Sequence, residues 1–175
     1  MRPLIPRSRS PRRRERGAVA LEYALVLPLF LAAVFSLFEL GVTVIAQGCL
    51  ANAVHRAALL MRIGTLSGSG SDYGARLVTT ICNDFVIGGY SYVPSCKTKI
   101  QVYVTATSAG TPSGKGFSTL KPARISGNVM THGKSYVGPK YDVVMQVGYA
   151  FPWAVIFSSG EALLVSTLAF QTEPY

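Results

Sequence analysis

The chain has 175 residues, of which 49% are hydrophobic and only 14% are charged. About a quarter of the residues in an ordinary soluble domain are charged, so this composition argues against a freely soluble cytosolic protein. Three cysteines and two histidines are too few for a disulfide-dense scaffold or a histidine-rich metal centre. We therefore expect no metal and no cofactor.

The positive charge is concentrated at the N-terminus. Residues 1–17 contain seven arginines and one glutamate, whereas the whole chain has a formal net charge of +9. This segment has three prolines and no aromatic residue, so it cannot form a core and is predicted to be disordered. A basic arm that binds nucleic acid is the alternative, but the rest of the chain carries little excess charge. We expect no nucleic-acid partner.

An apolar segment follows this basic tail directly. Residues 18–38 contain a single charged side chain, Glu22. About 20 apolar residues span a bilayer as a helix, and the apolar part of a cleaved secretory signal is shorter. The sequence therefore predicts a transmembrane helix over residues 18–47, with a buried core helix as the alternative. The arginine-rich flank places the N-terminus in the cytoplasm and the later residues outside, as the positive-inside rule requires.

The residues around Glu22 form a recognisable motif. The basic leader ends at Gly17, and an apolar run begins whose fifth residue is Glu22 and whose sixth is Tyr23. This arrangement resembles a type IV prepilin cleavage site. Together with the Ala-Leu-Val-Leu-Pro-Leu run at 24–29, it resembles the TadE-like minor pilins, or pseudopilins, of the Flp/Tad tight-adherence systems. The pattern does not separate the TadE type from the sister TadF type.

The resemblance implies a role for each residue of the motif. A prepilin peptidase would cut between Gly17 and Ala18 and remove the leader 1–17. Glu22, with Tyr23 beside it, would then face the new amine of Ala18 in the same or a neighbouring subunit. A buried ammonium and carboxylate compensate each other, whereas each alone is costly in a membrane. Without the resemblance, Gly17 would be a helix-entry glycine and Glu22 a snorkelling residue at the interface.

The remaining chain is predicted to form a small α+β domain. Leu50, Val54, Ala57 and Met61 lie on one helical face, so residues 48–64 continue the first helix as an amphipathic extension that ends at Gly64. Residues 65–175 then form the extracytoplasmic domain, in which periodicity predicts a helix at 75–85, strands at 99–106, 141–150 and 162–170, and a hairpin near 124–130. The last two strands pair antiparallel, and the long helix packs on a small antiparallel sheet, which is a pilin-like arrangement.

Two cysteines in the domain are candidates for a disulfide. Cys82 and Cys96 lie 14 residues apart, and closing that loop would stabilise the fold by roughly 3 kcal/mol in the chain-entropy model. Cys49 would then be a free thiol or form a bridge between molecules. Pairing of Cys49 with either of the other cysteines stays open.

One connection in the domain is unusually apolar. Residues 151–157 contain Phe151, Trp153 and Phe157, and aromatic side chains are favoured at membrane interfaces and in protein contacts. These three residues are therefore candidates for a contact with the membrane or a partner subunit. The alternative is a loop folded over the core of its own domain.

No residue pattern predicts catalysis. Residues 110–116 superficially resemble a phosphate-binding loop, but they lack its spacing, its Ser/Thr and the helix that follows. We predict a non-enzymatic minor pilin or pseudopilin in the bacterial inner membrane, with its C-terminal domain in the periplasm. Whether the protein also enters the pilus stays open. The implied partners are the prepilin peptidase, TadF-like minor pilins, the Flp pilin, the inner-membrane assembly platform and lipid. The alternatives are a signal-anchored extracytoplasmic binding domain without a link to pili, and an enzyme on the same anchor.

Overall fold

The computed structural model describes residues 12–66, 68, 71–85, 93, 95–108, 116–131, 133–151 and 162–174. In the first helix, side chains are described from Val19 onward. The chain divides into two compact units, Met1–Phe38 and Glu39–Tyr175.

The first helix, α1, runs from Arg12 to Arg62 and continues through Pro28. Among the described residues, its segment Val19–Arg62 is long and apolar enough to cross a membrane. The helix ends where Gly64 adopts a positive φ of 80°, a conformation that favours glycine. The Leu66 amide donates to the Leu60 carbonyl at 3.1 Å. α1 therefore ends at Arg62, two residues before the glycine at which the sequence predicts its end.

The second unit combines short helices with a sheet. The helices are α2 (Ser71–Asp84) and α3 (Cys96–Lys99), and a 3-10 helix covers Gly116–Thr119. The strands are β1 (Ile100–Ser108), β2 (Ile125–Ser126), β3 (Val129–Met130), β4 (Gly133–Lys134), β5 (Tyr141–Phe151) and β6 (Ala162–Gln171). Within the described residues, one sheet has the order β4-β1-β5-β6, and β2 and β3 form a separate hairpin.

The predicted α+β fold, with a long helix on a small sheet, is confirmed. β5 pairs antiparallel with both β1 and β6, as expected, and the predicted hairpin is β2–β3. The sheet differs from the prediction at one edge, where the two-residue β4 pairs parallel with β1. There Gly133 lies opposite Tyr103, and a Cβ on Gly133 would come within 3.1 Å of the Tyr103 ring. A strand of two residues is too short for a periodic pattern in the sequence.

The core lies between the helices and one face of the sheet. The predicted inner face of α1 is confirmed, because Leu50, Val54, Ala57 and Met61 are at most 1% exposed. On the sheet side, Tyr149 packs edge-on against Phe85, with ring centroids 5.2 Å apart. Burial of such aliphatic and aromatic side chains contributes about 1.5–3 kcal/mol each, so this unit has its own core.

The opposite face of the sheet is covered as well, which the alternation of β5 did not indicate. Gln146 is only 8% exposed. Its side-chain oxygen accepts a hydrogen bond from the Ala123 amide, and its nitrogen donates to the Thr167 hydroxyl at 3.1 Å. Gln101 accepts a hydrogen bond from the Met130 amide and donates to the Asn128 carbonyl. Residues 116–131 therefore cross this face, where two glutamines bind them.

Candidate functional site

The first unit exposes its apolar side chains on all sides of the helix. Every described side chain from Val19 to Ala33 is exposed. Twelve large hydrophobic side chains between Val19 and Phe38 are at least 41% exposed in the described part of the chain. Burial of each is worth about 1.5–3 kcal/mol, so exposure of the whole set to water is strongly unfavourable. The segment therefore requires lipid or other apolar helices around it.

Glu22 is the acidic side chain within this apolar surface. Glu22 is exposed, and the large side chains one turn further on, Leu25 and Val26, are 66% and 62% exposed. Among the residues whose side chains are described, none forms a hydrogen bond or an ion pair with Glu22. A carboxylate among apolar groups costs about 2.5–3.5 kcal/mol at the centre of a membrane helix and less towards its ends, so Glu22, the fifth residue of the apolar segment, incurs part of that cost. A cation outside the described side chains would remove that cost.

The backbone places the predicted cleavage site one turn before Glu22. Gly17 and Ala18 both lie within α1. Residues four apart on a helix share one face and are separated by a rise of about 6 Å. Ala18 and Glu22 therefore lie on one helical face. Tyr23 is 68% exposed on the neighbouring part of the helix surface.

The outer surface of α1 in the second unit has two glycines among large aliphatic side chains. A Cβ on Gly41 or Gly48 would meet nothing within 4 Å. Leu40, Val44 and Ile45 beside them are more than half exposed. This surface could accept another helix at close range, because glycine lets two helical backbones approach each other.

The three cysteines have distinct environments. Cys82 at the end of α2 is bonded to Cys96 at the start of α3, with an S–S distance of 2.00 Å and a Cα–Cα distance of 5.9 Å. Cys49 is a half-buried free thiol on α1. The disulfide joins the last turn of α2 to the start of α3.

Three residues of the 151–157 connection were predicted to contact the membrane or a partner subunit, and the structure describes one of them. Phe151 is only 6% exposed, and its ring centroid lies 6.4 Å from that of Tyr149. The prediction of a membrane or partner contact is therefore corrected for Phe151, because β5 extends to this residue and carries its side chain into the core. Trp153 and Phe157 lie outside the described residues.

The described part of the second unit contains no arrangement typical of catalysis. No group of three or more His, Cys, Asp or Glu side chains that could hold a metal occurs among the described residues. A cavity of about 450 Å³ between α1 and α2 is lined by Arg76 and three threonines as well as by apolar side chains. A second cavity, of about 340 Å³, lies beside the disulfide and contains Lys97. Neither cavity pairs a general base with a nucleophile.

Comparison with known proteins identifies the N-terminal segment. Residues 17–59 match the family model described as TadE-like protein, a segment that includes Gly17, Glu22, Tyr23 and most of the buried face of α1. Searches of curated proteins and of solved structures find no match. The TadE-like resemblance is thus confirmed over about a quarter of the chain. It indicates a protein associated with a Tad pilus, with one N-terminal apolar helix suited to a single-pass membrane anchor.

Proposed function

We propose that the chain is a minor pilin or pseudopilin that a prepilin peptidase processes between Gly17 and Ala18. In this proposal it takes part in assembly of an Flp-type pilus, by priming, capping or forming its base. The exposed apolar surface of α1 with Glu22 inside it carries the proposal. A helix that served only as an anchor would gain nothing from a carboxylate within its apolar segment.

The geometry of α1 explains why cleavage would matter to Glu22. Cleavage after Gly17 would create an ammonium at Ala18, at the start of the shortened helix. The carboxylate of Glu22 lies one turn further along the same face. A helix N-terminus carries a partial positive charge from its unsatisfied amides, to which the ammonium would add a full one. Glu22 could therefore neutralise the N-terminus of its own helix or that of a neighbouring subunit.

Gly17 suits a peptidase substrate for a physical reason. The residue lies within a helix, whereas a protease cleft binds an extended backbone. Glycine destabilises a helix interior by about 1 kcal/mol relative to alanine, which lowers the cost of local unwinding. It also has no side chain to obstruct the cleft. The helix is thus weakened at the bond that would be cut.

The charge distribution supports an inner-membrane orientation. The arginine-rich leader precedes the apolar segment, which favours a cytoplasmic N-terminus. The second unit would then be periplasmic, where the Cys82–Cys96 bond fits an oxidising compartment. The partners of this proposal are the prepilin peptidase, TadF-like minor pilins, the Flp pilin, the inner-membrane assembly platform and lipid.

The experiment that tests processing is the N-terminal mass of the membrane-extracted full chain, with and without the cognate peptidase. We expect a chain that begins at Ala18 only when the peptidase is present. Gly17→Val should block cleavage, because its branched side chain obstructs the cleft. Gly41→Val is the matched control, since a Cβ at Gly41 meets nothing within 4 Å. A chain that keeps its arginine-rich tail under both conditions would refute processing and favour a signal-anchored binding domain.

A further inference from the structure

One end of the second unit is the end at which α1 enters it. The unit begins at Glu39, directly after the apolar segment. Gln47 donates a hydrogen bond to the Val165 carbonyl at 2.8 Å. Further along, the Glu173 amide donates to the Arg62 carbonyl at 2.9 Å, so α1 and β6 run side by side in the same direction. We call the end of the unit that contains Glu39 and Gln47 the entry end.

The register of the sheet places the start of β1 at the entry end. Gln101 pairs with Gly148 on β5, and Gly148 pairs with Val165 on β6. Because Gln47 binds the Val165 carbonyl, these four residues lie at one level of the unit. The short helix α3 directly precedes β1 and therefore lies at the entry end as well.

The hairpin β2–β3 also lies at the entry end, on the face of the sheet opposite α1. The Gln101 side chain donates to the Asn128 carbonyl at 3.0 Å and accepts a hydrogen bond from the Met130 amide. These bonds hold the turn of the hairpin at the level of Gln101. Ile125 and Val129 on this hairpin are 49% and 61% exposed. The entry end thus presents two large aliphatic side chains away from the core.

Exposed basic side chains flank this apolar hairpin. Lys97 on α3 and Arg124 next to β2 are exposed, and neither forms an ion pair with a described residue. Lys97 also lines the cavity of about 340 Å³ beside the disulfide, together with Asn83 and Ser95. Ammonium, amide and hydroxyl groups can all donate hydrogen bonds to phosphate oxygens. The cavity therefore suits a phosphate group.

Acidic side chains offset little of this positive charge. Of the five acidic residues that the structure describes in the second unit, Glu39 lies at the entry end. The other four lie at the opposite end of the sheet, at the start of α2 or in an ion pair with Arg56: Asp142, Glu173, Asp72 and Asp84. The described part of the entry end therefore has a positive and partly apolar surface.

We propose that the entry end docks on the surface of the membrane that anchors α1, with anionic phospholipid headgroups as its ligand. Lys97 and its cavity would bind one lipid phosphate and Arg124 a second, while Ile125 and Val129 would enter the interfacial layer. Charge complementarity and continuity with the apolar segment favour lipid as the occupant. The inference rests on the membrane anchor of the proposed function, but on neither cleavage nor pilus assembly.

The length of α1 is compatible with this docking. A bilayer has a hydrocarbon core of about 30 Å and a headgroup layer of about 6 Å on each side. Gln47 lies about 12 Å beyond Glu39 along the helix, so an upright helix would hold the level of Gln47 about 6 Å above the headgroups. A tilt of about 20° is usual for a membrane helix and lowers a surface 15 Å from its axis by about 5 Å. The hairpin lies roughly 15 Å from α1, across the sheet, so an ordinary tilt towards it closes the gap.

A fluorescent label on the hairpin tests docking in the full chain. Ser126→Cys, with Cys49→Ser to remove the free thiol, places the label on the exposed strand β2. In vesicles that contain about a third anionic lipid and brominated acyl chains, we expect the lipid to quench this label. Lys140→Cys in the same background is the control, because Lys140 is exposed and precedes β5 at the opposite end of the sheet. A label at position 140 should not be quenched.

Removal of positive charge tests the ligand. Each Lys or Arg near an anionic surface strengthens binding roughly fivefold. Lys97→Gln with Arg124→Gln should therefore lower the ratio of docked to undocked chains roughly 25-fold, measured from the quenched and unquenched fractions of the label at position 126. Lys134→Gln with Lys140→Gln removes the same charge at exposed positions further along the sheet and should change the ratio less than twofold. Zwitterionic vesicles should lower the ratio at least as much as the first pair of substitutions.

The apolar contact has a matched control in the same covering segment. Val129→Ser should lower the ratio of docked to undocked chains at least fivefold. Phe117→Ser removes a side chain that is 45% exposed near Asp142 and should leave the ratio unchanged.

Three results would overturn the proposal. These are equal quenching at positions 126 and 140, equal ratios in anionic and zwitterionic vesicles, and a wild-type ratio in Lys97→Gln with Arg124→Gln. An unquenched hairpin label in a chain that is inserted in the vesicles would also overturn it and would assign the entry end to a protein partner. A chain that docks in vesicles but keeps its arginine-rich leader in cells would refute the proposed processing alone.

Discussion

Replacement of Glu22 by glutamine tests whether this carboxylate takes part in assembly after processing. Glutamine keeps the size of the side chain and removes its charge. In α1, Ala18 and Glu22 are four residues apart on a continuous helix, a rise of about 6 Å. Two unit charges at that distance interact by about 3 kcal/mol at an effective dielectric constant of 20. An ammonium of a neighbouring subunit at a similar distance would contribute this energy to docking, and its loss corresponds to roughly a hundredfold fewer correctly docked subunits.

The assay compares processing with pilus assembly in the same cells. We expect Glu22→Gln to be cut at Ala18 as in the wild type, while the number of pili falls by roughly a hundredfold. Glu22→Asp keeps the charge and should retain most of the assembly. Glu39→Gln is the matched control, because it removes a half-buried carboxylate on the same helix but in the other unit. Wild-type pilus numbers in Glu22→Gln would refute the proposed pairing of the carboxylate with the amine.

Three further predictions concern the second unit and are measured by thermal unfolding of the full chain in detergent. Thr172→Val should lower the free energy of unfolding by about 2–4 kcal/mol, because the buried Thr172 hydroxyl accepts a hydrogen bond from the Tyr141 amide and donates one to the Gly138 carbonyl, each at 2.7 Å. Thr172→Ser keeps the hydroxyl and should lower the free energy of unfolding clearly less. Equal decreases in the two variants would contradict the reasoning. Cys82→Ser should cost roughly 3 kcal/mol, and reductant should then have no further effect, unlike in the wild type. Gln146→Leu should cost about 1–3 kcal/mol and speed hydrogen exchange of residues 116–131, and unchanged exchange would show that Gln146 does not hold that segment.

The long helix and the long strands were predictable because apolar residues recur at regular spacing in each of them over many residues. The buried face of α1 follows from Leu50, Val54, Ala57 and Met61, whose spacing places them on one side of a helix. The pairing of β5 with β6 follows from an alternating segment and a second strand-like segment joined by a connection. In both cases the pattern of apolar side chains suffices, since the partner surface is the core of the same unit.

The cover over the second face of the sheet was not predictable in the same way. Gln101 and Gln146 have the alternation expected for solvent-facing positions, because a glutamine bound to a backbone segment and a glutamine bound to water give the same sequence pattern. Their partners at Ala123, Asn128 and Met130 offer only backbone groups, which every residue has. Backbone recognition therefore leaves no signal in the amino-acid sequence.

Glu22, in contrast, could be identified from the sequence, since a charged side chain in an apolar run is conspicuous whatever the fold.

The N-terminal half of α1 makes two demands on its surroundings. It requires an apolar environment along its whole length, and Glu22 adds a requirement for one positive charge. Lipid meets the first requirement, but only another polar group meets the second. Loss of pili in Glu22→Gln, with pili retained in Glu22→Asp, would therefore show that the charge and not the apolar surface alone selects the partner.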